Sequence, residues 1–316
     1  MFLALTGFFP LAATVAMVHG TVTRTNWAAI RTLAFVECLF VLELVGVLLS
    51  FLIWTERVIF PGSTHDRYLC RNYRLQTWWG CALAGTGIAL FNLRFEVDGE
   101  SSVSRRPFAL FVRHVSFMDT LLPVMLVSSK LGTRLRYVLK QELLWDPCLD
   151  IVGNRLPNLF VGRDNAAHDA QIDGIRRLAS GIGEGDGILI YPEGTRFTPH
   201  KRDNLLAKLE RMGAREYASA ARFHSVLPPR LGGSLAILAA APNADAVFMA
   251  HSGLETAVNL KGLISGRLVG STIRVTFWTI PRQDIPIAGD ERREWFLGQW
   301  RILDELVTLW KESSSA

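Results

Sequence analysis

The chain has 316 residues, 49% of them hydrophobic and 20% charged, with a formal net charge of +5. That length excludes one small domain, and a mean hydropathy of +0.22 argues against an ordinary soluble protein and towards a membrane segment. The modest basic excess suits anionic lipid headgroups or phosphorylated substrates, and the apolar content weighs against nucleic acid as the partner.

Residues 1–18 carry no charged side chain, yet lack the basic start and the small-residue cleavage site of a secretory signal. After a short link with Arg24 and Arg31 comes LAFVECLFVLELVGVLLSFLIW, residues 33–54, long enough to cross a hydrocarbon core of about 30 Å as a helix. Glu37 and Glu43 interrupt it, which points to a helix packed on a partner near one surface. A third stretch, TWWGCALAGTGIALFNL at 77–93, is uncharged, but Gly80, Gly85 and Gly87 weaken it as an isolated helix. It reads as an interfacial or buried helix at least as well as a third crossing. Arg57, Arg67, Arg71 and Arg74 lie between these segments. By the positive-inside rule they place that side, and all that follows, in the cytoplasm. Residues 1–93 thus read as membrane-associated helices, two spans and one interfacial helix.

From residue 94 short apolar runs alternate with helical periods. The predicted strands are 93–97, 108–112, 135–139, 158–161, 187–191, 247–250 and 273–278. Helical stretches fall at 119–131, 166–181 and 203–219. Such alternation argues an α/β fold, a mixed sheet flanked by helices. A closing helix at 290–311 gathers Trp295, Gln299, Ile302, Leu303, Leu306, Val307 and Trp310 near one face, as core packing requires. Cys38, Cys70, Cys81 and Cys148 show no C-x-x-C spacing and read as reduced thiols packed as small hydrophobes. The scattered histidines offer no metal-ligand spacing, so no metal is expected.

Four landmarks stand at strand ends. In FVRHVSFMDT, His114 and Asp119 follow an apolar strand. A carboxylate turned back on the imidazole would fix its tautomer and free the other nitrogen as a base, although Asp119 alone could be a helix cap. NLFVGRD places Arg163 just after the short strand at 158–161 that carries Phe160. ILIYPEGTRFTPHK runs a buried strand into Glu193, Gly194, Thr195 and Arg196, where a close-approaching backbone, a hydroxyl and a guanidinium could hold phosphate. SVLPPRLGG supplies a stiff loop with Pro228, Pro229 and Arg230. Singly, each is compatible with an ordinary turn or surface residue.

Their order resembles the glycerolipid acyltransferase family, typified by 1-acylglycerol-3-phosphate acyltransferase, over roughly residues 94–235. The Glu-Gly-Thr-Arg block is its most specific element. Two positions depart from the family pattern: Arg113 stands where Asn usually precedes the histidine, and Pro157 where a Gly often opens the second block. FTPHK and LPPR look closer to the eukaryotic-type lysophospholipid branch.

The resemblance implies that 94–316 is an acyltransferase catalytic domain on the cytoplasmic face of an integral membrane protein. It implies O-acyl transfer from acyl-CoA or acyl carrier protein to the free hydroxyl of lysophosphatidate or a related lysophospholipid, without a resident cofactor. His114 is then the general base and Asp119 its orienting partner. Arg163 and Arg196 take the acceptor phosphate, with Gly194 and Thr195 at the loop. Glu193 orients a substrate hydroxyl or holds an arginine, Phe160 packs beneath the site, and Pro228 and Pro229 shape the thioester entrance. Open alternatives are another lysophospholipid or glycerol 3-phosphate as acceptor, a CoA-independent transacylase, and a non-catalytic membrane scaffold. A serine hydrolase is disfavoured because no Gly-x-Ser-x-Gly elbow occurs.

Overall fold

A computed structural model describes residues 13–18, 20–23, 25–60, 62, 64–162, 168–214 and 217–315. The first apolar segment, 1–18, therefore lies mostly outside the described residues. The fold is α/β. A seven-stranded sheet has the order β1-β7-β6-β2-β5-β3-β4, with β1 Arg94–Asp98, β2 Phe108–Val112, β3 Arg134–Lys140, β4 Leu159–Val161, β5 Asp186–Ile190, β6 Asp245–Ser252 and β7 Thr272–Ile280. All predicted strands are present close to their predicted bounds. The sheet is mixed: β6 and β7 pair antiparallel, and every other pair is parallel.

Alternation along β2 explains the layers. Phe108, Leu110 and Val112 face one apolar cluster, built with Phe35, Leu83, Phe91, Val124 and Leu126. Ala109 and Phe111 face the other, built with Ile175, Ile237, Phe296, Trp300 and Leu303. A strand buried on both faces must read as a continuous apolar run, and FALFV does.

The first cluster is covered by α1, Ala28–Ile59, and α2, His65–Phe91. Among the described residues α1 is the one helix long and apolar enough to cross a membrane. The stretch 77–93 is no separate helix. It is the second half of α2, and it turns Gly80, Leu83, Ala84, Gly87 and Phe91 into the protein. Gly80 and Gly87 are close-packing positions, where a Cβ would meet Val124 at 2.7 Å and Met118 at 2.9 Å, whereas Gly85 faces open space. The middle of α1 docks on α3, Pro147–Arg155. There Glu43 accepts the backbone N–H of Cys148 at 3.0 Å, Gly46 faces Cys148 Sγ, and Arg155 donates to the carbonyl of Ser50 at 2.8 Å. The expected partner of the interrupted helix is thus the α/β domain itself. The face away from it leaves Val41, Leu44, Leu48, Phe51, Leu52 and Trp54 exposed.

The second cluster is covered by α4 (His168–Ser180), α6 (Leu231–Ala240) and α7 (Gly289–Ser315), while α5 (Pro199–Arg211) follows the turn after β5. Two predicted helices differ. At 119–131 the chain forms a 3-10 turn, Met118–Leu121, followed by a π-helical segment, Val124–Ser129, because Pro123 has no N–H to return to the preceding turn. At 203–219, α5 starts earlier: Thr198 caps it, Pro199 opens it, and Gly213 with φ 59° ends it. On α7 the buried stripe is Phe296, Trp300, Leu303 and Val307, and Ile302 is exposed. Cys148 is buried, Cys38 and Cys81 are half-buried, and Cys70 is exposed.

Candidate active site

Strands β2 to β6 run parallel, so their carboxyl ends share one sheet edge, where α/β folds place ligands. His114 follows β2, Glu193 follows β5, and His251 lies at the end of β6.

His114 and Asp119 meet: Nδ1 lies 2.9 Å from Asp119 Oδ1. Asp119 is fully buried, and its Oδ2 accepts the N–H of Val115 at 2.6 Å and of Ser116 at 2.7 Å. The carboxylate therefore closes the loop that presents the imidazole and cannot swing away. It accepts the Nδ1 proton, which leaves Nε2 with a lone pair. The imidazole side chain is 13% exposed, enough for a reactant to reach it. The ring of Tyr191 lies 4.6 Å from it, centroid to centroid, and limits its tilt.

The Glu-Gly-Thr-Arg loop is joined to the histidine at the backbone. Glu193 Oε1 accepts the N–H of His114 at 2.7 Å, and the carbonyl of His114 accepts the N–H of Phe197 at 2.7 Å. The other Glu193 oxygen accepts the N–H of Leu227 at 2.8 Å. Both oxygens of Glu193 are thereby occupied with backbone, so it acts as a joint between three loops rather than a clamp on an arginine. Burial pushes its carboxyl up to about 8, against the lowering pull of those two N–H groups. Gly194 has φ 65°, a conformation that favours glycine, and the side chain of Arg230 crosses it.

Thr195 and Arg196 face Lys201, in the first turn of α5. The Lys201 ammonium donates to Thr195 Oγ1 and to the carbonyl of Arg196, each at 2.9 Å. Arg196 is anchored by Nη1 to the carbonyl of Val258 at 2.7 Å. Pro228 is half-buried and Pro229 buried, in a loop tied to Pro192 through the N–H of Arg230 at 2.7 Å. Phe160 sits on edge strand β4, separated from β2 by β3 and β5. At roughly 4.8 Å per strand it is not beneath the histidine, and its ring packs on Gly153 of α3. Arg163 lies outside the described residues.

Beneath the site runs a buried layer that motif reading missed. Arg113 is fully buried and donates to the carbonyl of His251 at 2.6 Å, to Glu255 Oε1 at 2.7 Å and to the carbonyl of Ser225 at 3.1 Å. Burial opposes ionisation of Glu255, but the adjacent guanidinium outweighs it and holds the carboxyl down at about 2. His251 Nε2 lies 2.9 Å from the carbonyl of Arg113, so it is the protonated nitrogen, and burial lowers the pKa of this imidazole. From α7, Asp304 accepts the N–H groups of His224, Ser225 and Val226 and shapes the proline loop. Arg113 was visible only as a departure next to His114, and nothing local marks His251, Glu255 or Asp304.

Residues 94–240 match the Acyltransferase family. No curated protein matches the chain significantly. Among solved structures it is similar to the crystal structure of the 1-acyl-sn-glycerophosphate (LPA) acyltransferase, PlsC, from Thermotoga maritima. The identity is 15% and the TM-score 0.49, covering 88% of this chain and 98% of that one.

Proposed function

We propose that this chain, whose residues 94–240 match the Acyltransferase family, transfers a fatty acyl group from a thioester to the free hydroxyl of lysophosphatidate or a related lysophospholipid. The observation that carries the reading is the His114–Asp119 pair at 2.9 Å, in a loop locked to the Glu-Gly-Thr-Arg segment. A hydroxyl is a weak nucleophile until its proton is removed as the new bond forms. Nε2 of His114 takes that proton while the oxygen attacks the thioester carbonyl. Asp119 stabilises the imidazolium and keeps it in line. The tetrahedral species collapses with cleavage of the carbon–sulfur bond, and the imidazolium returns its proton to the leaving thiolate. No acyl-enzyme intermediate is required.

Arg196, with Gly194 and Thr195, receives the acceptor's phosphate, and Arg163 is assigned to the same group by family resemblance. The apolar outer face of α1 meets the bilayer, while its inner face stays on α2 and α3. A lipid acceptor then reaches the site without full transfer into water. Arg57, Arg67, Arg71 and Arg74 put the domain on the cytoplasmic side.

The test is thiol release from acyl-CoA by the full chain in detergent, with lysophosphatidate, other lysophospholipids and glycerol 3-phosphate as acceptors, beside His114→Ala. Acceptor-dependent release that the variant loses supports the proposal, and the best acceptor names the substrate. Equal release by the variant refutes His114 as base. Silence with acyl-CoA, acyl carrier protein and phospholipid donors alike refutes catalysis.

A further inference from the structure

We propose that His251 is a positioning residue for the reaction: from behind the site its Nε2–H holds the peptide group that carries His114 and borders the Asp119 carboxylate, and so sets the aim of the catalytic imidazole. The inference rests on the acyl-transfer reading and adds to it a residue outside every motif block.

The peptide group between Arg113 and His114 is held at both ends. Its carbonyl accepts the Nε2–H of His251 at 2.9 Å, and its N–H donates to Glu193 Oε1 at 2.7 Å. In a planar trans peptide these two groups point in opposite directions. The two contacts therefore fix the plane, and with it the direction in which the His114 side chain leaves the backbone. The same His251 nitrogen lies 3.8 Å from Asp119 Oδ2, on the carboxylate whose other oxygen meets His114 Nδ1 at 2.9 Å. One nitrogen thus borders both supports of the imidazole, its backbone and its carboxylate.

The sheet and Arg113 hold His251 itself in place. It pairs with Val275 of β7, and its carbonyl accepts Arg113 Nη1 at 2.6 Å, so each of the two side chains holds the other residue's carbonyl. Glu255 neutralises Arg113 through Oε1 at 2.7 Å, and its Oε2 accepts the N–H of Gly253 at 2.7 Å. His251 is fully buried, out of reach of either substrate, and acts through His114 and Asp119. Its Nδ1 has no hydrogen-bond partner among the described residues. An apolar side chain would fill the same space without burying an unpaired nitrogen, which leaves the Nε2–H donor as what a histidine contributes here. Burial lowers the pKa of this imidazole against the pull of Asp119, so it stays neutral and leaves the carboxylate's charge to His114.

Glutamine carries an N–H donor at the reach of Nε2, asparagine one at the reach of Nδ1, and leucine none. In the full chain in detergent, His251→Leu and His251→Asn should lower kcat about tenfold, the scale of one neutral hydrogen bond. KM for acyl-CoA and for the lysophospholipid should stay within about twofold, because His251 touches neither. His251→Gln should keep kcat within about threefold of wild type. With 15N-labelled histidine, the His114 ring-nitrogen shifts should move in His251→Leu and His251→Asn and stay in place in His251→Gln.

A kcat for His251→Leu within about threefold of wild type would overturn the proposal. So would a His251→Gln variant that falls as far as His251→Leu, because the residue then only fills space. A KM that rises while kcat holds would overturn it too, by moving the effect to substrate binding. If His251→Leu and His251→Asn fail to fold, the wild-type spectrum decides: a His251 ring proton on Nε2 supports the contact, and one on Nδ1 overturns it. If the wild-type protein releases no thiol with any donor and acceptor, the acyl-transfer reading falls by itself. The shifts then decide the positioning: His114 signals displaced in His251→Leu but not in His251→Gln support it, and signals unmoved in both overturn it.

Discussion

Replacing Asp119 by asparagine removes one charge while keeping the shape of the side chain, and the hydrogen bonds dictate which way the amide turns. Oδ2 accepts two backbone N–H groups, from Val115 and Ser116, and Oδ1 faces His114 Nδ1. The amide oxygen has to stay with the two N–H donors, because an NH2 group there would leave both unpaired in a buried site. The NH2 is therefore directed at Nδ1, which becomes an acceptor, and the ring proton moves to Nε2. The base then points a proton at the hydroxyl it should deprotonate.

Restoring the productive tautomer would set N–H against N–H, leaving two buried donors unpaired at about 1–3 kcal/mol each. The total is about 4 kcal/mol. At 1.36 kcal/mol per decade this predicts a fall in kcat of roughly a thousandfold. The fold should survive, since the two backbone contacts persist as neutral hydrogen bonds about 1 kcal/mol weaker in all. The assay is thiol release at saturating acceptor, with the tautomer read from ring-nitrogen shifts of 15N-histidine-labelled protein. A fall of less than tenfold, or an Nδ1–H tautomer retained in Asp119→Asn, would refute the proposed role of the carboxylate.

Glu255→Gln should destabilise the protein by about 3 kcal/mol at neutral pH, the worth of a carboxyl lowered from 4.5 to about 2. Because that pKa is depressed, the wild-type advantage is complete above about 4.5 and is lost as pH falls towards 2. Melts in detergent should show over half of it gone by about pH 3, and a gap that stays constant down to that pH would contradict the Arg113–Glu255 assignment. Gly46→Leu places a Cβ 2.6 Å from Cys148 Sγ, so α1 should separate from α3 at a cost of about 1–3 kcal/mol. Limited proteolysis should then cut near residue 60 faster, and an unchanged digestion pattern with an unchanged melting temperature would count against the docking.

The strands were legible because burial on both faces leaves a local mark. FALFV, GILIY and the run at 247–250 are apolar without a break. The pairing of His114 with Asp119 was legible only through the order of the four blocks, because by spacing alone Asp119 could equally have been a helix cap. Less was legible where a local pattern had two physical meanings. The glycines in the second half of α2 read as weakening an isolated helix, yet two of them, Gly80 and Gly87, serve close packing against Val124 and Met118. Phe160 lies in a family block beside Arg163, but the strand order, which adjacency in sequence does not encode, carries it to the sheet edge.

The sequence by itself determined the alternation of strands and helices, the apolar length of α1 and the order of the histidine, arginine and Glu-Gly-Thr-Arg blocks. Each of these depends on side-chain type at short spacing. Only the tertiary structure decided that Glu193 joins loops separated by 79 and 34 residues, and that Arg113 reaches Glu255 across 142. It also decided that Asp304 on the last helix shapes the proline loop. A buried charge is stable only where distant backbone and side chains converge to satisfy it, and that convergence exists once the sheet has assembled.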